Sequence, residues 1–254
     1  SYAAPARMSL LNAGWKLLRA VFHVVRGLLT IILLFPRLTP LQRDQRVQAW
    51  SLKLLEYLGI ELVVHGQPPV VGPMLLVANH ISWLDIVVMH AVRHCRFVSK
   101  SDVRRWPLIG VLATAAGTLY IERDLRRDAM RVVNVMARAL SAGEVLAVFP
   151  EGTTGDGVEL LPFHANLIQA AITAQAPVQP LALHFRDSVT GLQSQAPSYL
   201  GDETLIGSIW RTLSAQGLVA VVSFGEPQRS NGRTRRTWAT DMRSAIVALL
   251  QASR

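Results

Sequence analysis

From Ile60 onward, short apolar runs alternate with stretches of helical periodicity, and that alternation leaves few architectures open. The candidate strands are Leu62–His65, Met74–Ala78, Arg96–Ser99, Thr118–Glu122, Val145–Phe149, Val178–His184 and Leu218–Phe224. Helical patterns cover Trp83–Val92, Asp128–Leu140, Asn166–Ala174, Thr204–Ala215 and Thr237–Ala252. Strands separated by helices predict an α/β fold with a mostly parallel central sheet flanked by helices. Ligands of such sheets gather beyond the carboxyl ends of the strands. Here His80 follows one strand, Arg123 another and Pro150-Glu151-Gly152 a third, so three polar stations far apart in sequence are expected along one edge.

The run Ala78-Asn79-His80-Ile81-Ser82-Trp83-Leu84-Asp85 carries the strongest chemical signal. On a continuous helix, the five-residue step from His80 to Asp85 would aim the two side chains about 140° apart. A chain that uses them together must bend between them. A strand ending at Asn79 supplies the bend, followed by a helix capped by Ser82 with Asp85 three residues on, in the capping-box pattern. Asp85 then holds one imidazole nitrogen of His80 and leaves the other free as a base. A second reading fits the same residues: Asp85 only caps the helix, and His80 is a loop histidine with a satisfied hydrogen bond.

Residues before Ile60 read differently. Lys16, Arg19, His23 and Arg26 fall on one helical arc about 80° wide, and apolar residues cover the remaining faces. A secretory signal would end in a small-residue cleavage site, which is missing, and a spanning helix would carry Arg26 within its apolar segment at high cost. A basic stripe on an apolar helix suits an interfacial anchor lying among lipid headgroups; an ordinary core-packing helix is the other reading. Pro36 and Pro40 break this helix, and Leu41 to Leu58 reads as a second. The expected organisation is a two-helix membrane-contacting unit over residues 1–58 and a catalytic domain over 59–254.

Charge narrows the partners. Net charge is +9, from 26 Lys+Arg against 17 Asp+Glu, which suits nucleic acid, an anionic membrane surface or phosphorylated substrates. No aromatic-basic platform supports nucleic acid. The single Cys95 excludes an intramolecular disulfide and any multi-cysteine metal site, and fits a reducing compartment. His80 and Asp85 without a nearby third ligand fall short of a metal site. A hydrolase would need a serine elbow of the Gly-x-Ser-x-Gly kind, and the chain has none. A non-catalytic lipid-binding protein would have no need of the His80–Asp85 pair. The basic run Arg229 to Arg236 reads as a solvated loop.

Three further segments add to the pair. Phe149-Pro150-Glu151-Gly152-Thr153-Thr154 follows an apolar strand and makes a tight turn. Gly117 to Arg123 reads as a strand ending in a guanidinium suited to phosphate or carboxylate, or paired with Glu122 or Asp124 on the surface. Pro177-Val178-Gln179-Pro180-Leu181 is a proline-framed strand. Asn79-His80-x4-Asp85 and these three, in this order, resemble the four blocks of the glycerolipid acyltransferases, most nearly the bacterial 1-acyl-sn-glycerol-3-phosphate acyltransferases. The likeness runs from about residue 60 to 185 and includes Lys100 to Gly110.

The resemblance implies acyl transfer from a thioester of coenzyme A or acyl carrier protein to the sn-2 hydroxyl of lysophosphatidate, giving phosphatidic acid. His80 and Asp85 would be catalytic, His80 as base and Asp85 as its orienting carboxylate. Asn79 and Lys100, with Arg123, Glu151, Gly152 and Thr153, would bind substrate, Arg123 and Lys100 by holding the phosphate. No metal or cofactor is implied, the thioester being a co-substrate, and the expected location is the cytoplasmic face of the inner membrane, monotopic or peripheral. Two positions depart from the family pattern. Thr154 stands where arginine is frequent and His164 where lysine is, and this Thr-Thr-x-Asp-Gly version also resembles lyso-ornithine lipid acyltransferases, whose acceptor has no phosphate.

Overall fold

A computed structural model describes residues 10–122 and 128–254. The described residues form seven strands: β1 Ile60–His65, β2 Met74–Ala78, β3 Arg96–Lys100, β4 Leu119–Ile121, β5 Val145–Val148, β6 Val178–Asp187 and β7 Leu218–Phe224. They make one sheet in the order β1-β7-β6-β2-β5-β3-β4. Every neighbouring pair is parallel except β6 with β7. The expected mostly parallel sheet is therefore present, and β7 and β1 run against the other five strands.

The helices are α1 Leu10–Leu33, α2 Pro40–Leu58, α3 Leu84–Val92, α4 Ile109–Ala115, α5 Asp128–Ser141, α6 Asn166–Ala174, α7 Leu205–Ser214 and α8 Arg235–Ser253. Strand β2 shows how the layers are built. Its side chains alternate between faces, as the two-residue period of a strand requires. Met74, Leu76 and Ala78 enter one apolar core with Leu54, Leu55 and Leu58 of α2 and Leu84 and Val88 of α3. Leu75 and Val77 enter the other core, with Met136 of α5, Ile168 of α6 and Trp238 and Met242 of α8. All five β2 residues are buried, which is why the strand reads as an unbroken apolar run.

All seven expected strands are found, with ends displaced by up to three residues. Strand β4 ends at Ile121, and Arg123 lies outside the described residues. Helix α4 was not foreseen; at seven residues it is too short for helical periodicity to stand out.

The N-terminal helix keeps its apolar side outward, as the interfacial reading expects, but most of its basic stripe packs on the protein. His23 is buried, with Nε2 2.9 Å from the Trp50 carbonyl and its ring stacked on the indole at 4.9 Å. The guanidinium of Arg19 lies over the Tyr57 ring at 4.4 Å, and Lys16 Nζ donates to the Ala215 carbonyl at 3.5 Å. Gly27 permits the approach of α2, since a Cβ there would stand 2.6 Å from the Trp50 indole nitrogen. Lys16, Arg19 and His23 of the basic stripe therefore contact the protein, while Arg26 is exposed. The apolar face points outward: Leu11, Trp15, Val21, Phe22, Val25 and Ile32 are 48–85% exposed. Among the described residues no helix is long and apolar enough to cross a membrane.

Helix α2 begins with a capping box, in which Thr39 Oγ1 accepts from the Gln42 amide and Gln42 Oε1 accepts from the Thr39 amide. It ends at Gly59, whose φ of 72° is the left-handed conformation that glycine adopts without strain.

Candidate active site

The carboxyl ends of β2, β5, β3 and β4 lie side by side, and two of the three expected polar stations, His80 and Pro150-Glu151-Gly152, follow from them. Asn79 leaves β2 first. It is buried, and its amide pairs with the β6 backbone: Nδ2 donates to the Leu183 carbonyl at 2.9 Å and Oδ1 accepts from the Leu183 amide at 2.7 Å. Both heteroatoms serve to hold the β2 exit against β6.

His80 comes next. Its Nδ1 lies 2.8 Å from Asp85 Oδ2, and its ring stacks on Phe149 at 3.9 Å between centroids. Asp85 is fully buried in the first turn of α3, and the same Oδ2 accepts from the amides of Ile81 at 2.7 Å and Ser82 at 2.9 Å. These donors converge on one oxygen of a side chain in the first turn of α3, at the positive end of the helix dipole. An ionised Asp85 accepts the Nδ1 proton and leaves Nε2 with a free lone pair. Nε2 has no hydrogen-bond partner among the described residues, and 18% of the side chain is exposed.

The capping box expected at Ser82 forms only in half. Asp85 takes the Ser82 amide as expected, but Ser82 Oγ accepts from Leu84 at 3.0 Å, and the Asp85 amide goes to the Ser82 carbonyl. Ser82 is fully buried, so it presents no hydroxyl for attack.

The loop after β5 closes over the back of His80. Glu151 is 5% exposed; Oε1 accepts from the His80 amide and Oε2 from the Leu161 amide, both at 2.9 Å. Burial raises its pKa, and these two hydrogen bonds oppose the rise. The Gly155 amide returns 2.8 Å to the His80 carbonyl. Both backbone groups of His80 are therefore held by one loop.

Gly152 adopts φ +77°, and a Cβ on it would stand 2.9 Å from His164 Nε2, so the histidine at the frequent lysine position packs directly over the turn. Thr153 is exposed, and Thr154 Oγ1 donates to the Tyr199 carbonyl. Lys100 ends β3 beside Ile121 of β4, exposed and without a side-chain partner among the described residues. Of the eight expected site residues, the structure brings His80, Asp85 and Glu151 into one bonded group, with Gly152 and Thr153 on the adjoining turn. Asn79 lies behind the group, and Lys100 stands two strands from β2.

Sequence reasoning missed the segment that covers this site from the far end of the chain. The Tyr199 amide donates to the Ile81 carbonyl at 3.3 Å, Trp83 Nε1 donates to Ser208 Oγ at 3.1 Å, and Gln193 Nε2 reaches the Gly157 carbonyl at 3.3 Å. No local pattern announces such contacts. Phe149 was findable, since it immediately precedes Pro150-Glu151.

His80, paired with Asp85, stands at a strand end, and among the described residues no side chain hydrogen-bonds its Nε2. A family model described as Acyltransferase matches residues 61–184. The chain belongs to the glycerolipid acyltransferase family. It is 38% identical over 209 residues to a lyso-ornithine lipid O-acyltransferase of Pseudomonas aeruginosa, covering 82% of this chain and 79% of that one. It is also 38% identical over 187 residues to a 1-acyl-sn-glycerol-3-phosphate acyltransferase of Neisseria gonorrhoeae, covering 73% and 72%. The crystal structure of the 1-acyl-sn-glycerophosphate (LPA) acyltransferase PlsC from Thermotoga maritima shares the fold, with a TM-score of 0.69 at 18% identity over 96% of this chain and 95% of that one.

Proposed function

We propose that the protein moves a fatty acyl group from a thioester of coenzyme A or acyl carrier protein to the sn-2 hydroxyl of 1-acylglycerol-3-phosphate, giving phosphatidic acid at a membrane surface. The observation that carries this reading is the 2.8 Å contact of His80 Nδ1 with buried Asp85, with Nε2 left unpartnered. Nε2 removes the hydroxyl proton as the oxygen attacks the thioester carbonyl. The tetrahedral intermediate collapses, the C–S bond breaks, and the thiolate takes the proton back from the imidazolium. Asp85 fixes the tautomer and stabilises the imidazolium, the part a triad carboxylate plays. The acceptor is itself the nucleophile, so no acyl-enzyme is needed. Hydroxyl, thioester and imidazole supply the whole reaction, and no cofactor or metal is invoked.

In this reading Lys100 and Arg123 hold the acceptor phosphate, and Glu151, Gly152 and Thr153 shape its pocket. Asn79 contributes through the position of His80. The exposed apolar face of α1 supports contact with a lipid surface, and the single buried thiol fits the cytoplasmic face of the inner membrane.

A lyso-ornithine lipid acceptor is the second reading, and one observation favours it. Thr154, at the frequent arginine position, spends its hydroxyl on Tyr199, and His164 replaces the lysine, so two cations are gone from the presumed phosphate side. Purified protein offered both lysolipids with both thioesters, with products read by mass, separates the two: phosphatidic acid alone supports the first, ornithine lipid alone the second. His80→Ala is expected to lower the transfer rate by at least about 10²-fold. Near-wild-type turnover in that variant would remove His80 as the base.

A further inference from the structure

The loop that holds Glu151 has a second surface, and α8 packs against it. Between them lies a cavity of about 310 Å³, walled by Pro162, Phe163 and Ala165 from the loop and by Arg236, Thr240 and Arg243 from α8. No carboxylate lines it. Arg243 is tied to the loop: Nη2 donates to the Leu160 carbonyl at 2.5 Å, and Nε points at the Leu161 carbonyl at 3.4 Å. The Leu161 amide in turn holds Glu151, and Glu151 holds the His80 amide. The cavity thus adjoins the backbone that positions the catalytic histidine.

Two of the four arginines in the neighbouring basic run bond within the protein. Arg229 donates to the Gln175 carbonyl, and Arg233 engages Asp241, Gln228 Oε1 and the carbonyls of Ser230 and Arg229. The guanidinium of Arg236 has no partner among the described residues, and it lines the cavity. Helix α8 lies on the sheet face opposite α2 and α3, with α5 and α6.

We propose that this cavity binds the phosphorylated nucleotide of coenzyme A, so that the water-soluble donor approaches from the α8 side while the lipid acceptor approaches from the α1 side. The inference rests on the thioester-dependent transfer proposed above. Phe163 offers a face for the adenine ring, and Arg236 and Arg243 offer guanidinium donors for the 3′-phosphate. The flexible pantetheine arm then leads over the Pro162–Ala165 rim, where the His164 amide bonds the Pro150 carbonyl at 2.8 Å, towards His80. The site is concave and small, which suits a nucleotide. An acidic carrier protein would need a broad basic face, whereas Arg229 and Arg233 are bonded to their own loop and Gln175.

The test is equilibrium binding of coenzyme A and of dephospho-coenzyme A to the full chain, in the wild type, Arg236→Ala and Arg236→Lys. The expected result is binding of coenzyme A, at least about fivefold weaker binding of the dephospho form, loss of that difference in Arg236→Ala and partial rescue in Arg236→Lys. An unchanged melting temperature verifies that the variants fold. Steady-state rates should show a raised KM for the acyl-coenzyme A donor and an unchanged KM for the lysolipid. No coenzyme A binding, or binding indifferent to Arg236, overturns the proposal. So does an Arg236 effect seen only with acyl carrier protein as donor, which would make the patch a protein-docking site. Arg236-dependent coenzyme A binding without acyl transfer to any lysolipid would instead overturn the proposed function and leave this site standing.

Discussion

Glu151 is the residue on which the geometry of the site turns. It is a buried carboxylate that takes two backbone amides, from His80 and from Leu161. A carboxylate can accept both, whereas a glutamine side chain has one acceptor and would face one amide with its own N–H. Glu151→Gln is therefore expected to cost about 1–3 kcal/mol of stability, measured by urea unfolding. It should also slow transfer, because the His80 peptide loses an anchor. Undiminished stability would show that the loop has another way to satisfy that amide. Asp85 obeys the same logic, with Oδ2 taking three donors while Oδ1 has none. The contact with His80 and the two amides share one oxygen, so Asp85 caps the turn and holds His80 at once.

At the scale of the element, α3 contains a pH-sensitive feature distinct from the site. His90 is buried against Phe97 and His94, and burial pushes its pKa down to about 3, with neighbouring His94 adding to the shift. The unfolded chain protonates this imidazole near pH 6.5 while the folded chain resists. Between those values the unfolded state binds more protons, so stability falls as the pH drops through that window. At pH 5 the loss from this one group is about 2 kcal/mol relative to neutral pH. His90→Leu is expected to flatten the acid limb of the stability profile by that order, as read by urea melts from pH 7 to 5. A limb of unchanged slope would assign the acid sensitivity to another group, with His184, held near 4 by burial, the next to test.

The whole molecule presents two unlike sides. On one side, α1 turns Leu11, Val21, Phe22 and Ile32 outward while it anchors itself through His23 and Lys16. An exposed apolar face of this kind marks an interaction surface. Deleting the helix would uncover Trp50 and Tyr57 along with it, so charge substitution on the outer face is the cleaner test. Phe22→Glu combined with Ile32→Glu is expected to leave the melting temperature unchanged and to reduce co-sedimentation with vesicles of anionic phospholipid several-fold. Undiminished sedimentation would move the lipid contact elsewhere on the molecule.

Much of this protein could be read from its chain. Apolar runs such as Met74–Ala78 are buried on both faces in a parallel sheet, so burial writes the strands directly into the sequence. His80 and Glu151 were legible for a related reason: each follows a strand end, and a parallel sheet carries strand ends to one edge. The orientation of α1 was not legible, because a stripe of cations on an apolar helix fits either a headgroup layer or a protein partner. Only the stacking of His23 on Trp50 decided it. Nor could local patterns foresee that Leu183 would hold Asn79, that Tyr199 would lie over Thr154, or that α8 would meet the Glu151 loop through Arg243. Those contacts join residues about 45 to 104 positions apart, and no local periodicity encodes them. The sequence determined the sheet and the contact of His80 with Asp85, because both rest on short-range pattern. The tertiary structure alone decided which faces remained exposed, because that depends on which distant segments happen to cover them.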